Sequence, residues 1–151
     1  VAMKERRALA RENVLAMRAL WQNDVGEFDG EFVHIAPSWS WPKPMKPEGP
    51  PVLIGGAPGP KLLAHVAEYA DGWIPIGGAG VRESLPELRR AMQERGRDPD
   101  SLHVVPLGIQ PDPRKLDYYA EIGVTEAVLR FPSAPRDRVR PVLDDYARYL
   151  H

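Results

Sequence analysis

Cysteine is absent from the 151 residues, which removes disulfides, thiolate metal sites and cysteine nucleophiles together and agrees with a reducing, cytoplasmic setting. An excess of one charge is missing as well: 20 Lys and Arg stand against 21 Asp and Glu, for a formal net charge of −1. Such a surface has no general attraction for nucleic acid or anionic lipid, so any anion site has to be local. No apolar run approaches the roughly 18 residues of a membrane span, and the first residues are charged and helix-patterned rather than signal-like. A soluble chain without a membrane partner is expected. Histidines are few (His34, His65, His103 and His151), and they lack ligand-like spacing, so no metal site is expected. The nucleophile elbow Gly-x-Ser-x-Gly, the Walker loop and a helix-opening Gly-x-Gly-x-x-Gly are all missing, which leaves serine hydrolase, nucleotide hydrolase and Rossmann readings without their signatures.

What is abundant is proline, at 17 residues, with 13 glycines. They punctuate apolar-periodic segments instead of forming a low-complexity tract. Ala10, Val14, Met17 and Trp21 fall four, three and four apart and predict one apolar face of a helix from about Lys4 to Trp21. The chain opens on Val1 already approaching that helix, as a chain beginning mid-domain would. Between Val25 and Pro51 the pattern breaks: Asp29-Gly30 is a turn signal, Phe32, Val33 and Ile35 form a short extended piece, and Pro37 to Pro51 is rich in Pro and Trp.

Regular alternation follows. Strands are predicted at Val52–Ile54, Trp73–Ile76, His103–Gly108 and Ala127–Phe131. Helices follow them over Pro60–Ala70, around Leu85, Leu88 and Met92 with a stop at Gly96, over Arg114–Ile122, and along Val139, Leu143, Tyr146 and Leu150. Strands and helices alternating at this spacing imply right-handed crossovers and a parallel sheet, hence an α/β fold. The repeat is satisfied both by an open doubly wound sheet and by half of a (β/α)8 barrel. A four-stranded half-barrel leaves two strand edges unpaired, so self-association or pairing with a complementary half is expected.

Candidate chemistry centres on Gly55-Gly56-Ala57-Pro58-Gly59-Pro60, where a strand ends in glycines and a helix begins. Glycines let backbone approach a phosphate, helix-start N–H groups carry positive partial charge, Pro60 suits the first helical turn and Lys61 is adjacent. A tight βα turn with no ligand explains the same residues. The second glycine loop, Gly77-Gly78-Ala79-Gly80, belongs to the same rim or serves as a flexible connector. Asp71 begins a strand, where a structural role outranks a catalytic one. His34, Trp39 and Trp41 offer either a stacking surface or packing.

Several segments, in this order, resemble the luciferase-like monooxygenases, and especially their coenzyme F-420 (F420)-dependent subgroup. They are Arg11-Glu12-Asn13-Val14, Met17 to Trp21, Phe28-Asp29-Gly30-Glu31-Phe32-Val33, Trp41-Pro42-Lys43-Pro44, Pro50 to Gly56, Ala67 to Pro75 and Gly96-Arg97-Asp98-Pro99. The resemblance implies a TIM-type (β/α)8 barrel of which this chain is the C-terminal half. Residues 1–151 then form a single partial barrel domain: a helix over 1–24, an insertion over 25–51 and four βα units over 52–151. It further implies that Gly55, Gly56, Ala57 and Gly59 hold the phosphate of F420 or, alternatively, FMN. Hydride transfer between a deazaflavin and a small organic substrate is the implied chemistry; an FMN-dependent monooxygenase and a noncatalytic half-barrel interaction module are the alternatives. No catalytic residue carries over, because the family's first four strands have no counterpart in this sequence.

Overall fold

The computed structural model describes residue 2 and residues 4–150. Val1 and His151, which entered the sequence reading, lie outside the described residues. The chain divides into two compact units, one of residues 1–52 with 68–70 and one of residues 53–67 with 71–151.

In the first unit a 17-residue helix, α1 (Arg6–Gln22), is followed by an antiparallel hairpin of β1 (Gly26–Asp29) and β2 (His34–Ser38). The Asp29-Gly30 signal therefore marks a hairpin turn, closed by the Gly30 N–H donating to the Val33 carbonyl at 2.9 Å. The predicted apolar face of α1 is corrected. Val14 is buried, but Ala10 and Met17 are exposed, and the buried stripe is Glu12, Val14 and Ala16. A carboxylate takes a position that periodicity reserves for apolar side chains, because the hairpin turn supplies its partners. Arg11 pairs with Glu68 at 2.6 Å, and the Arg18 guanidinium donates to the Tyr69 carbonyl at 3.0 Å. Lys43 ties the Pro-rich segment to the end of α1 by donating to the carbonyls of Leu20 and Asn23 at 2.7 and 2.6 Å.

The second unit alternates strand and helix. Its elements are β3 (Leu53–Gly55), α2 (Pro60–Tyr69, whose last turn belongs to the first unit), β4 (Gly72–Ile74), α3 (Val81–Gln93), β5 (His103–Val104), β6 (Leu107–Ile109), α4 (Pro113–Glu121), β7 (Val128–Leu129) and α5 (Arg136–Tyr146). Strands β3, β4 and β5 pair in that order and all in parallel; β6 and β7 form a second parallel pair, and an isolated parallel bridge joins Ile76 to Leu107. This is an α/β fold with parallel strands in small sheets, and the described strands do not close into a barrel.

The predicted third strand, His103–Gly108, is in fact two, β5 and β6. Val105 and Pro106 intervene, and proline has no N–H to donate to a ladder. Helix α3 starts at Val81, earlier than Leu85, because Gly80 at φ 73° supplies the left-handed turn into it. Its stop at Gly96 holds: the Arg97 N–H bonds the Met92 carbonyl at 3.0 Å and the Gly96 N–H that of Gln93 at 2.9 Å. Helix α4 is capped by the Asp112 carboxylate, which accepts from the Lys115 N–H at 3.1 Å, with Pro113 in the first turn. The last helix departs from expectation. α5 ends at Tyr146, none of its residues is buried, and Leu143 and Leu150 are exposed.

Trp73, Val66, Leu88, Met92, Val104 and Ile109 form the inaccessible centre of this unit's core. Arg97 locks its lower end by donating to the carbonyls of Val66 and Ala67, both at 3.1 Å, and lies 3.9 Å from Asp71. The Asp71 carbonyl accepts the His103 N–H at 2.9 Å.

Candidate functional site

Strand β3 delivers the chain to the C-terminal rim of a parallel sheet, the end at which such folds build their sites. There Gly55-Gly56-Ala57-Pro58-Gly59 reverses it into α2. Gly56 is bound at both ends to β4. Its N–H donates to the Ile74 carbonyl at 3.1 Å, and its own carbonyl accepts the indole N–H of the fully buried Trp73 at 3.0 Å. Its φ of 151° favours glycine, and a Cβ there would come within 3.1 Å of the Leu62 Cδ1.

Beyond Gly56 the turn opens. Gly59 acts as the helix cap through its carbonyl, which accepts from the Leu63 N–H at 3.0 Å, and a Cβ built on Gly59 would meet nothing within 4 Å. Pro60 opens the helix and has no N–H to satisfy. Among the described residues, the N–H groups of Ala57, Gly59, Lys61 and Leu62 reach no protein acceptor. These are donors at the positive end of a ten-residue helix. All four carried-over positions, Gly55, Gly56, Ala57 and Gly59, thus fall within one turn, with Lys61 exposed next to it.

The second glycine loop packs on the same turn. A Cβ on Gly80 would stand 2.6 Å from the Pro58 Cγ, and one on Gly78 would collide with the Tyr119 hydroxyl. The loop is also tied down by the Gly77 N–H, which donates to the Leu107 carbonyl at 2.8 Å. It is therefore a fitted piece of the rim rather than a free connector. Between the loops runs an open groove of about 440 Å³ lined by Pro58, Gly59, Pro60, Leu63, Gly80, Glu83, Ser84 and Glu87. Its two glutamates repel an anion.

Other sequence candidates are not brought to this site. His34 Nδ1 lies 2.6 Å from an Asp29 carboxylate oxygen. It lines a cavity of about 620 Å³ with Glu27, Phe28, Ile35 and Pro37, a cavity to which neither Trp39 nor Trp41 contributes. Trp41 instead carries the Lys43 ammonium 5.2 Å from its ring centre. Among the described residues, no three His, Asp or Glu side chains cluster as a metal would need. No described helix is long and apolar enough to cross a membrane.

One charged group escaped the sequence reading. The Glu12 carboxylate accepts the N–H groups of Glu31, Phe32 and Val33 at 2.9, 2.7 and 2.9 Å. Burial pushes its pKa up, but these three backbone donors and the nearby His34 outweigh that, and the net shift is downward. Glu-x-x-x-x at mid-helix carries no signal for such a role; only Asp29-Gly30, the turn it clamps, was visible.

Comparison with known proteins agrees with the resemblance. A sequence model of the family described as luciferase-like monooxygenase matches residues 1–110. An uncharacterized protein of Mycobacterium tuberculosis is 41% identical over 146 residues, which are 96% of this chain and 51% of that protein. The F420-dependent glucose-6-phosphate dehydrogenase of Tsukamurella paurometabola is 32% identical over 117 residues, 73% of this chain and 34% of that enzyme. Among solved structures, monooxygenase RslO1 from Streptomyces bottropensis superposes with a TM-score of 0.72 at 17% identity, over 99% of this chain and 62% of that one, a likeness of fold. The chain spans about half the length, or less, of the curated relatives it matches.

Proposed function

The chain belongs to the luciferase-like monooxygenase family, and from that premise we propose that its turn Gly55–Gly59 binds the phosphate of a deazaflavin, coenzyme F420, in an oxidoreductase acting on a small organic substrate. The carrying observation is the set of N–H groups at Ala57, Gly59, Lys61 and Leu62 that the protein leaves without an acceptor at the C-terminal end of a parallel strand. Their chemistry fits a phosphate: several backbone donors without a protein acceptor, a helix start and open space at Gly59. The dehydrogenase relative, named for F420, favours the deazaflavin; FMN is the alternative. When bound, either group would supply the hydride or oxygen chemistry, while the protein contributes orientation and a dry setting.

In this reading residues 1–151 are one partial barrel domain: a helix over 1–24, an insertion over 25–51 and four βα units over 52–151 that form the C-terminal half of a (β/α)8 barrel. Ile76, Leu107 and Val128 support it. Leu107 and Val128 neighbour one another across the parallel pair β6 and β7, Ile76 joins Leu107 through the isolated parallel bridge, and each is at least 42% exposed. An apolar row of this kind is what a barrel interior would cover. A second copy or a complementary half-barrel is the expected cover. If the chain binds no cofactor, this same row makes it an interaction module. Fluorescence titration of the folded chain with F420 and FMN in parallel tests the proposal. Saturable binding of F420 at lower concentration than FMN is expected, and failure of both to bind refutes it.

A further inference from the structure

We infer that Trp73 is a positioning residue: its indole N–H, by holding the Gly56 carbonyl, aims the Ala57 N–H out of the turn toward the phosphate. This rests on the phosphate reading of the turn given above. Trp73 is wholly inaccessible and sits on β4, the strand beside β3. Its ring fills the core, yet its one polar atom leaves the core to reach the turn, at 3.0 Å from the Gly56 oxygen. A buried indole N–H finds a partner as a rule; what matters here is which partner it takes.

The Gly56–Ala57 peptide is trans, since the one cis bond among the described residues is Trp41–Pro42. In a planar trans peptide the C=O and the following N–H point in opposite directions. Fixing the Gly56 carbonyl toward Trp73 therefore fixes the Ala57 N–H away from it, on the outer side of the turn. The Gly56 N–H is fixed too, by the Ile74 carbonyl at 3.1 Å. Both peptide planes flanking Gly56 are thus set by adjacent residues of β4, and the first unpaired donor of the turn is aimed before any ligand arrives. Glycine at this position makes such fixing necessary, because its backbone has the widest freedom to rotate away. Donors held in place in advance bind more tightly than donors that have to be ordered by the ligand.

The test compares the wild-type chain with Trp73→Phe, which keeps an aromatic ring in the core and removes the donor. FMN binding is followed by fluorescence, unfolding by circular dichroism, and the Ala57 amide by NMR-detected hydrogen exchange without ligand. Expected are binding weaker by about tenfold, an intact cooperative unfolding transition, and an Ala57 amide that exchanges freely in wild type and changes its shift and exchange rate in the variant. Equal affinities with an unaltered Ala57 amide overturn the inference. If the wild type itself does not bind, the phosphate reading falls, and the Ala57 amide alone then decides whether Trp73 orients the turn. Should Trp73→Phe fail to fold, Gly56→Ala, which disturbs the same peptide from the other side, is read by the same amide: an unaltered Ala57 signal counts against the inference.

Discussion

Two loops of this molecule gather backbone N–H groups, and they differ in what answers them. Around residues 31–33 the three donors converge on the Glu12 carboxylate, an anion the chain carries itself. At 57–62 four N–H groups find no acceptor among the described residues. The N–H groups that open a helix have no partner within it, which leaves them to water or to a ligand. Elementary electrostatics is the same in both loops, so under the proposed function the first shows what the second would accept: a small anion with several lone pairs. A structural clamp and a candidate ligand site are distinguished here by whether sequence has placed a carboxylate within reach.

Converting the open loop into the closed kind should have the largest effect. Gly59→Asp puts a carboxylate at the helix cap, where it can itself accept the Lys61 or Leu62 N–H. Open space around Gly59 leaves room for it. Phosphate-dependent binding should fall by about 100-fold or more while the melting temperature holds or rises, since an acidic cap stabilises a helix; a titration and a melting curve check this together.

Opening the closed loop is the reverse experiment. Glu12→Gln should speed hydrogen exchange at Glu31, Phe32 and Val33 by about tenfold or more. The pH dependence has a definite sign. The folded-state pKa of Glu12 is lowered, so its contribution to stability is complete above the ordinary carboxylate range and is lost as pH falls through the lowered folded value. Amide protection at 31–33 in the wild type should therefore hold through the ordinary carboxylate range and be lost only at more acidic pH, and Glu12→Gln should remove that dependence.

A smaller effect is expected where the second glycine loop meets the first. Gly80→Ala puts a side chain at φ 73° and against Pro58, which should cost about 1–2 kcal/mol of stability, measured by urea unfolding. The smallest concerns the acidic flank of the groove: Glu83→Gln with Glu87→Gln should raise affinity for a phosphate ligand by about two- to threefold at low salt, with the gain shrinking as salt screens the charges.

Much of the open loop was legible in the sequence, and little of the closed one. The strand predicted at Val52–Ile54 is Leu53–Gly55, and the helix predicted at Pro60–Ala70 is Pro60–Tyr69, because an apolar strand, a glycine turn and a first-turn proline are all local signals. Glu12 acts across about twenty residues of sequence, and a mid-helix glutamate reads locally as a solvated side chain. The same limit explains α1, where the periodic face of Ala10 and Met17 turned out exposed. Periodicity tells which residues share a face, not what that face meets. Val105-Pro106 was a local signal for the break in the third strand, and it was outweighed by the apolar run around it. Trp73 was visible as a strand residue, but its bond to Gly56 depends on β3 and β4 being neighbours, which the sequence does not state.

The central claim, that the turn at 55–59 is a phosphate site, is tested most directly by comparing FMN with riboflavin, which has the same ring system and no phosphate. On this account the folded chain binds FMN at least about tenfold more tightly than riboflavin, and Gly59→Asp erases the difference. Equal affinity for the two flavins, or an FMN preference that survives Gly59→Asp, contradicts it.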